Sequence, residues 1–374
     1  MKQFTSNNPI RTMGLMTGTS MDGLDLAVVD IVIKNGYPVP SNVISHTIPF
    51  PGKLKKQISL AVSGNKSLYK SLDDTLGRWI ADVAFEYVNN NNISNIELIG
   101  IHGQTVFHES GVKSIQVGNP KYLVNTFNIP VIYDFRSADI NVGGTGAPLI
   151  PKIDEWIFQR KKSAVMCVNI GGIANVTLMP PKEKGKILGF DTGPGMAMLD
   201  EIYRSHFIEG YDISGKVAKK GRINKALVND WMNDSFIQKI PPKSTGRDNY
   251  GHSWITEHRN ELDSISFEDR LANLAYFTAR SIIHGCYSFL DKWNVSECVI
   301  SGGGSHHEQI FFHLGRLLYP VSLKRADEYG FSVDGKEAIG FALLAVAHVK
   351  NIFGNIPSVT GATKEVVLGN MVKP

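Results

Sequence analysis

Thr12-Met-Gly-Leu-Met-Thr-Gly-Thr-Ser-Met-Asp-Gly-Leu-Asp-Leu-Ala-Val-Val-Asp30 is the stretch that decides the fold. Small and polar residues from Thr17 to Asp25 separate an apolar approach from the β-branched run Ala27-Val-Val-Asp-Ile-Val-Ile33. The pattern reads as strand, glycine-rich turn, strand, with Gly18 and Gly23 expected to take positive φ where the chain reverses. Backbone N–H groups of such a turn, with the hydroxyls of Thr17, Thr19 and Ser20, form a concave nest for phosphate oxygens. The candidate phosphate turn is therefore Gly18, Thr19, Ser20, Met21, Asp22, Gly23, Leu24 and Asp25. Asp22 and Asp25 are the acidic groups that would hold a Mg²⁺ beside those phosphates, directly or through water. A P-loop or Rossmann loop runs from a strand into a helix, and neither glycine signature occurs in this chain. Taken alone, the same stretch is also an ordinary hairpin turn.

Two further glycine clusters repeat the arrangement. Ala164-Val-Met-Cys-Val-Asn-Ile-Gly-Gly-Ile-Ala-Asn-Val-Thr-Leu178 is an apolar strand, Gly171-Gly172, and a second apolar strand. Glu297-Cys-Val-Ile-Ser-Gly-Gly-Gly304 ends a third strand in Gly302, Gly303 and Gly304, where bare backbone permits close approach of a ligand. Three strand-anchored clusters of this kind resemble the two phosphate loops and the adenosine loop of actin-like ATPases and sugar kinases. The resemblance narrows in Gly14-Leu-Met-Thr-Gly-Thr-Ser-Met-Asp-Gly-Leu-Asp25, His102-Gly-Gln-Thr105, Asp134-Phe-Arg-Ser-Ala-Asp-Ile140, Gly143-Gly and Gly146-Ala-Pro-Leu149. It continues in Asn169-Ile-Gly-Gly-Ile-Ala-Asn175, Gly189-Phe-Asp-Thr-Gly-Pro-Gly195, Pro242-Lys-Ser-Thr-Gly-Arg247 and Ser301-Gly-Gly-Gly304. In this order, from about residue 13 to about residue 345, the blocks resemble the anhydro-N-acetylmuramic acid kinases. The resemblance implies a two-domain α/β fold of the actin-like ATPase class, with a nucleotide cleft between the domains. ATP and Mg²⁺ are the implied cofactors, a small sugar the implied substrate, and a homodimer the implied assembly.

Composition is compatible with this class. At 374 residues, 43% apolar and 20% charged, the chain is long enough for two ordinary cores and is neither disordered nor membrane-embedded in character. No run approaches the ~18 apolar residues of a membrane span, and the first nine residues lack a signal core. Cys167, Cys286 and Cys298 are odd in number and lie in apolar runs. They fit neither a disulfide framework nor a zinc site and read as reduced core residues of a cytoplasmic protein. A net charge of +4 suits small anionic ligands and is too diffuse to indicate nucleic acid.

The organisation reads as α/β throughout. Apolar spacing predicts a helix over 71–89 and a short buried strand over 97–102, followed by a strand at 130–134. The glycine-rich crossing after it marks the expected boundary between a domain of residues 1–135 and one of residues 136–349. A terminal segment, about 350–374, is expected to pack back on the first domain. The strand Ile187-Leu-Gly-Phe190 precedes a mostly helical stretch from 196 to about 293. A helix over 336–348, apolar on most faces, should be buried between layers.

Asp191 follows that strand and precedes Thr-Gly-Pro-Gly195, which places it on a loop stiffened by Pro194. A carboxylate there can take a proton from an attacking hydroxyl or water, although an isolated Asp-Thr-Gly is also an ordinary turn. The resemblance makes Asp191 the catalytic base. It further implies a muramic sugar closed by an internal 1,6-anhydro bridge, opened by water at the anomeric carbon as the released 6-oxygen takes the γ-phosphoryl group of ATP. The product is the 6-phosphate.

Arg136 is a natural partner for the sugar's lactyl carboxylate or for the transferred charge, or else the ionic partner of Asp134 or Asp139. His102, Gln104 and Thr105 lie just past a buried strand, where they would hydrogen-bond sugar hydroxyls, with a core histidine as the alternative for His102. Lys243, Ser244, Thr245 and Arg247 form either a solvated loop or a segment reaching the site or a subunit contact. Trp231, Trp254, Trp293 and Phe311-Phe312 read as core. Departures from the family's usual residues stand at Met196, at Thr145, and at Ser305-His306-His307, and they keep a different sugar in play. His306, His307, Glu308 and His313 fit no metal spacing. A nucleotide-switched scaffold would not need Asp191 together with the Arg136 block.

Overall fold

The computed structural model describes residues 4, 8–18, 21, 23–160, 162–182, 184–330, 332 and 335–374. The chain divides into two compact units, one of Met1–Ile157 with Gly330–Pro374, the other of Phe158–Tyr329. Among the described residues no helix is long and apolar enough to cross a membrane.

The first unit opens with β1 (Ile10–Met16), β2 (Gly23–Lys34) and β3 (Tyr37–Pro49), an antiparallel meander. Helices α1 (Gly52–Val62) and α2 (Tyr69–Asn90) follow, then β4 (Leu98–Ile101) and the hairpin β5 (Gln104–Glu109) and β6 (Lys113–Val117). Next come α3 (Lys121–Phe127), β7 (Val131–Tyr133), α4 (Ser137–Ile140) and α5 (Ile150–Phe158). β4 joins β1 in parallel and β7 joins β4 in parallel.

Alternation along β2 explains why the sheet is covered on both faces. Leu24, Leu26 and Val28 enter a core shared with α1, α2 and α3. Ala27, Val29 and Ile31 enter the opposite core with a late helix of Lys336–Val349. Each such fully buried Leu, Val or Ile side chain contributes roughly 1.5–3 kcal/mol. The late helix lies directly on the strands, because a Cβ on Gly14 would strike the carbonyl of Ala338 and one on Gly100 that of Phe341.

The second unit repeats the plan. β8 (Ala164–Ile170), β9 (Ile173–Met179) and β10 (Leu188–Pro194) are antiparallel. After α6 (Ala197–Phe207), α7 (Lys225–Trp231), α8 (His252–Glu257), α9 (Arg259–Asp263) and α10 (Phe267–Leu290) comes β11 (Val295–Ser301), parallel to β8. Helix α11 (Glu308–Leu318) leads to β12 (Ser322–Arg325), parallel to β11. One core joins β8 and β9 to α6, α7, α10 and α11 and contains Trp231, Trp254, Cys286 and Cys298. All three cysteines are buried, and none of them forms a disulfide. The chain then returns to the first unit as α12 (Lys336–Val349), α13 (Pro357–Thr360) and β13 (Asn370–Val372), which pairs antiparallel with β7.

In both units the five shared strands stand in the order third, second, first, fourth, fifth, with the second strand antiparallel to its neighbours. This duplicated α/β sheet is the actin-like ATPase plan, visible in topology where no repeat is visible in sequence.

The domain limits differ from the expected 1–135 and 136–349. Residues 136–157 and helix α12 belong to the first unit, because α12 lies on its sheet and Ile153 and Trp156 are buried in the same core, Ile153 against Gly340 of α12.

Candidate active site

In the first unit, β1 ends at Met16 and the chain turns into β2 at Gly23. Thr19, Ser20 and Asp22 lie outside the described residues. The positive φ expected of Gly23 falls instead on Met21, at 55°, whose N–H donates to Gly18 O at 3.1 Å. Gly23 is needed for a different reason: a Cβ there would strike the Ile48 carbonyl of β3. Leu24 is buried in the core. Asp25 lies within β2, opposite Met16, and accepts a 2.6 Å bond from Thr47 Oγ1. Thr17 Oγ1 is buried and has no hydrogen-bond partner among the described residues, which leaves a hydroxyl just past β1 for a ligand oxygen.

Buried His102 is paired with half-buried Arg136. Arg136 Nε donates to His102 Nε2 at 3.1 Å, which makes that nitrogen the acceptor and puts the ring proton on Nδ1, 2.8 Å from Gly103 O. Burial first, then the neighbouring guanidinium, brings the His102 pKa down to about 3, so the ring is neutral at physiological pH. Both ring nitrogens are thereby used inside the protein. Arg136 Nη1 also donates to Gly146 O at 2.8 Å, and burial lowers the Arg136 pKa to about 10. Glu337, half-buried at the start of α12, has a carboxyl that desolvation holds above the usual range, against the opposing pull of Lys336 and then Arg136.

The ionic partners considered for Arg136 are engaged elsewhere. Asp134, at φ 51°, accepts from Ser137 Oγ (2.7 Å) and Asn370 Nδ2 (3.0 Å). Fully buried Asp139 accepts from Gly146 N, Asn355 Nδ2 and Thr360 Oγ1. A cavity of about 260 Å³ opens beside His102 and Asp134, with Asp73, Gln116, Tyr133 and Ser137 also on its wall. Thr105 Oγ1 accepts from Gln116 Nε2. Gln104 is buried, and its Oε1, like Thr17 Oγ1, lacks a partner among the described residues. Thr145 is occupied internally: its hydroxyl lies 2.6 Å from Ala147 O and 3.0 Å from Thr360 O.

In the second unit Asp191 sits inside β10, not on a loop beyond it. The strand runs on to Pro194, and a bulge between Asp191 and Gly193 re-aims the carboxylate. The loop 241–247 holds it there. Lys243 is buried, donating to Phe236 O (3.0 Å) and Ile237 O (2.9 Å), and its carbonyl accepts Asp191 N–H at 3.0 Å. From that anchor, Ser244 Oγ (2.7 Å) and Thr245 N (2.9 Å) both donate to Asp191 Oδ2. Desolvation outweighs these two bonds, and the Asp191 pKa is raised above 3.8. A carboxylate fixed in orientation and raised in basicity is suited to proton abstraction. Sequence alone did not assign these roles to Ser244 and Thr245; their signal was the polar block after Pro241-Pro242.

The Gly171-Gly172 turn is tied to the start of α6: Gly171 O accepts Met196 N, and Gly172 O accepts Gly195 N and Ala197 N. Met196 thus contributes backbone here, with its side chain against the core. Gly302, at φ 80°, and Gly304 pack on Asn169 and Ile170, whereas Gly303 faces open space. His307 caps α11 through Nδ1 and stands 3.7 Å from buried Asp212, a structural placement for both. Among the described residues no three His, Cys, Asp or Glu side chains gather to hold a metal ion.

A family model described as anhydro-N-acetylmuramic acid kinase matches residues 10–374. An anhydro-N-acetylmuramic acid kinase of Bacillus cereus (strain G9842) is 35% identical, covering 96% of this chain and 98% of its own. One of Bacillus thuringiensis subsp. konkukian (strain 97-27) is also 35% identical, covering 97% and 99%. Among solved structures, the (R)-2-hydroxyglutaryl-CoA dehydratase component A of Acidaminococcus fermentans overlays with TM-score 0.45 at 12% identity, covering 91% of this chain and 99% of that one. That likeness is too distant to carry an argument. The end-to-end family match and the sequence relatives do carry one: this chain belongs to the anhydro-N-acetylmuramic acid kinase family.

Proposed function

We propose that this protein is an ATP-dependent kinase that hydrolytically opens the 1,6-anhydro ring of 1,6-anhydro-N-acetylmuramic acid and phosphorylates O6. The observation that carries the proposal is the Asp191 carboxylate, held by Ser244 Oγ and Thr245 N at the bulge of β10, in a chain matched by the family from residue 10 to its last residue.

In this reading Asp191 takes a proton from water as that water attacks C1. The C1–O6 bond breaks, O6 accepts the γ-phosphoryl group, and ADP leaves. The proton on Asp191 returns to solvent. Phosphoryl transfer asks mainly for positioning and charge stabilisation, supplied here by the turns around Gly18 to Asp25, Gly171-Gly172 and Gly302 to Gly304. Mg²⁺ would neutralise charge on the nucleotide phosphates. Asp22 and Asp25 are the carboxylates that would hold the ion, directly or through water. The sugar-contacting group is His102, Gln104, Thr105 and Arg136. Of these, Gln104 Oε1 offers a vacant acceptor, while His102 and Arg136 shape the wall through each other. The internal bonds of Thr145 remove one motive for a different sugar. A cytoplasmic homodimer completes the proposal, and light scattering tests the dimer.

The deciding experiment incubates the protein with ATP, Mg²⁺ and 1,6-anhydro-N-acetylmuramic acid in ¹⁸O-water. A 6-phosphorylated sugar with label at C1, sampled before exchange through the open form, is the expected product. Phosphorylated sugar without label would refute water as the nucleophile.

A further inference from the structure

We infer that Arg247 is a catalytic residue that binds the transferred phosphoryl group, acting with the N–H of Gly172. The inference rests on the proposed role of the Gly171-Gly172 turn in holding phosphate.

Arg247 lies over Gly172. A Cβ built on that glycine would come 2.5 Å from Arg247 Nε and 2.8 Å from Nη2, so only glycine lets the guanidinium rest on the turn. The turn itself is rigid, because both of its carbonyls accept N–H groups from Gly195, Met196 and Ala197. The Gly172 N–H itself donates no hydrogen bond among the described residues. The root of Arg247 is equally fixed. Lys243 anchors the loop on one side, and on the other Gly246 O accepts Asn249 N and Tyr250 N, with Tyr250 buried.

The guanidinium, by contrast, is exposed and makes no hydrogen bond or ion pair among the described residues. Other arginines are committed: Arg11 to Asp30, Arg325 to Glu308, Arg270 to Asp263 and Arg136 to His102. An unspent planar fork beside a free backbone N–H is a donor set for an oxyanion with several oxygens. Its place on the loop that supplies Ser244 and Thr245 to Asp191 links it to the reacting end of the nucleotide. The sugar's lactyl carboxylate is the other anion of this reaction. The glycine turn beneath the guanidinium favours the phosphoryl group.

The test compares wild type with R247M and R247K in two assays. In the first, calorimetry without sugar measures affinity for a nonhydrolysable ATP analogue and for ADP. R247M should lose about ten- to a hundredfold in affinity for the analogue while ADP affinity is unchanged. In the second, kcat should fall about 10³-fold in R247M, with only partial recovery in R247K and sugar KM nearly constant. The exposed site predicts an unchanged melting temperature for both variants.

Equal loss of analogue and ADP affinity, or normal kcat, overturns the assignment. So does a rise in KM for 1,6-anhydro-N-acetylmuramic acid that vanishes with 1,6-anhydro-N-acetylglucosamine, which lacks the carboxylate and would thereby claim Arg247 for it. Should wild type fail to turn over the sugar, the proposed function falls, while the calorimetric comparison still judges Arg247 on its own.

Discussion

Replacing Asp191 with Asn separates catalysis from stability more cleanly than any other substitution in this chain. Both donors to the carboxylate, Ser244 Oγ and Thr245 N, converge on Oδ2. An asparagine carbonyl placed there keeps both bonds, losing only their charge assistance, about 1–3 kcal/mol for the pair. Against that loss stands the removal of a charge from a desolvated position. The raised pKa gives the sign of the sum. The folded protein holds the proton more tightly than the unfolded chain, so stability grows as pH falls through the folded pKa, and the ionised carboxylate lowers stability at neutral pH. Asp191→Asn should therefore melt at the wild-type temperature or slightly above it, within about 2 °C. Its kcat should fall about 10²–10⁴-fold, equivalent to roughly 3–5 kcal/mol of barrier. The assay pairs a melting curve with coupled ADP release in the presence of the anhydro sugar. A variant that melts well below wild type yet turns over at near-normal rate would show that Asp191 only braces β10.

Three further outcomes follow from the same geometry. Ser244→Ala removes a bond that lowers the Asp191 pKa, so the acidic limb of the kcat–pH profile should move to higher pH; movement to lower pH contradicts the assigned bond. Arg136→Met takes the hydrogen-bond donor from buried His102 and from the Gly146 carbonyl, and should cost about 1–3 kcal/mol in urea unfolding. A loss below about 1 kcal/mol would refute that coupling. His102, held neutral to about 3, contributes stability that is present above its ordinary 6.5 and is lost as pH falls from there toward 3. His102→Asn, measured by urea midpoint at pH 7 and pH 4, should lose less stability over that span than wild type does.

The parts of the fold written in local pattern were legible in the sequence. The β8–β9 hairpin, the helix at 69–90 and the buried helix α12 follow from apolar periodicity and glycine punctuation, and each lies within two residues of its expected limits. Asp191 stands out in the sequence because its flanking glycines and proline form a recognisable block. Its position inside a bulged strand was not, since a register shift depends on the facing strand. The domain limit was misplaced for a related reason. Glycines 143, 144 and 146 read as a linker, but Gly146 N is tied to Asp139, whose other partners, Asn355 and Thr360, lie more than two hundred residues away. The pairing of His102 with Arg136 and the seat of Arg247 on Gly172 are likewise long-range choices that no window of sequence displays.

The return of the chain to its first unit sets the timetable of synthesis. The strands of residues 10–34 have one face covered by α1 to α3, yet the other waits for α12, some three hundred residues downstream. At about 5–20 residues per second, that apolar face stands open on the ribosome for roughly 15–60 s. Meanwhile Phe158–Tyr329 emerges as a contiguous unit able to close its own core. A nascent chain stalled before residue 336 should thus present a finished second unit beside a half-covered sheet, the form on which a chaperone would act.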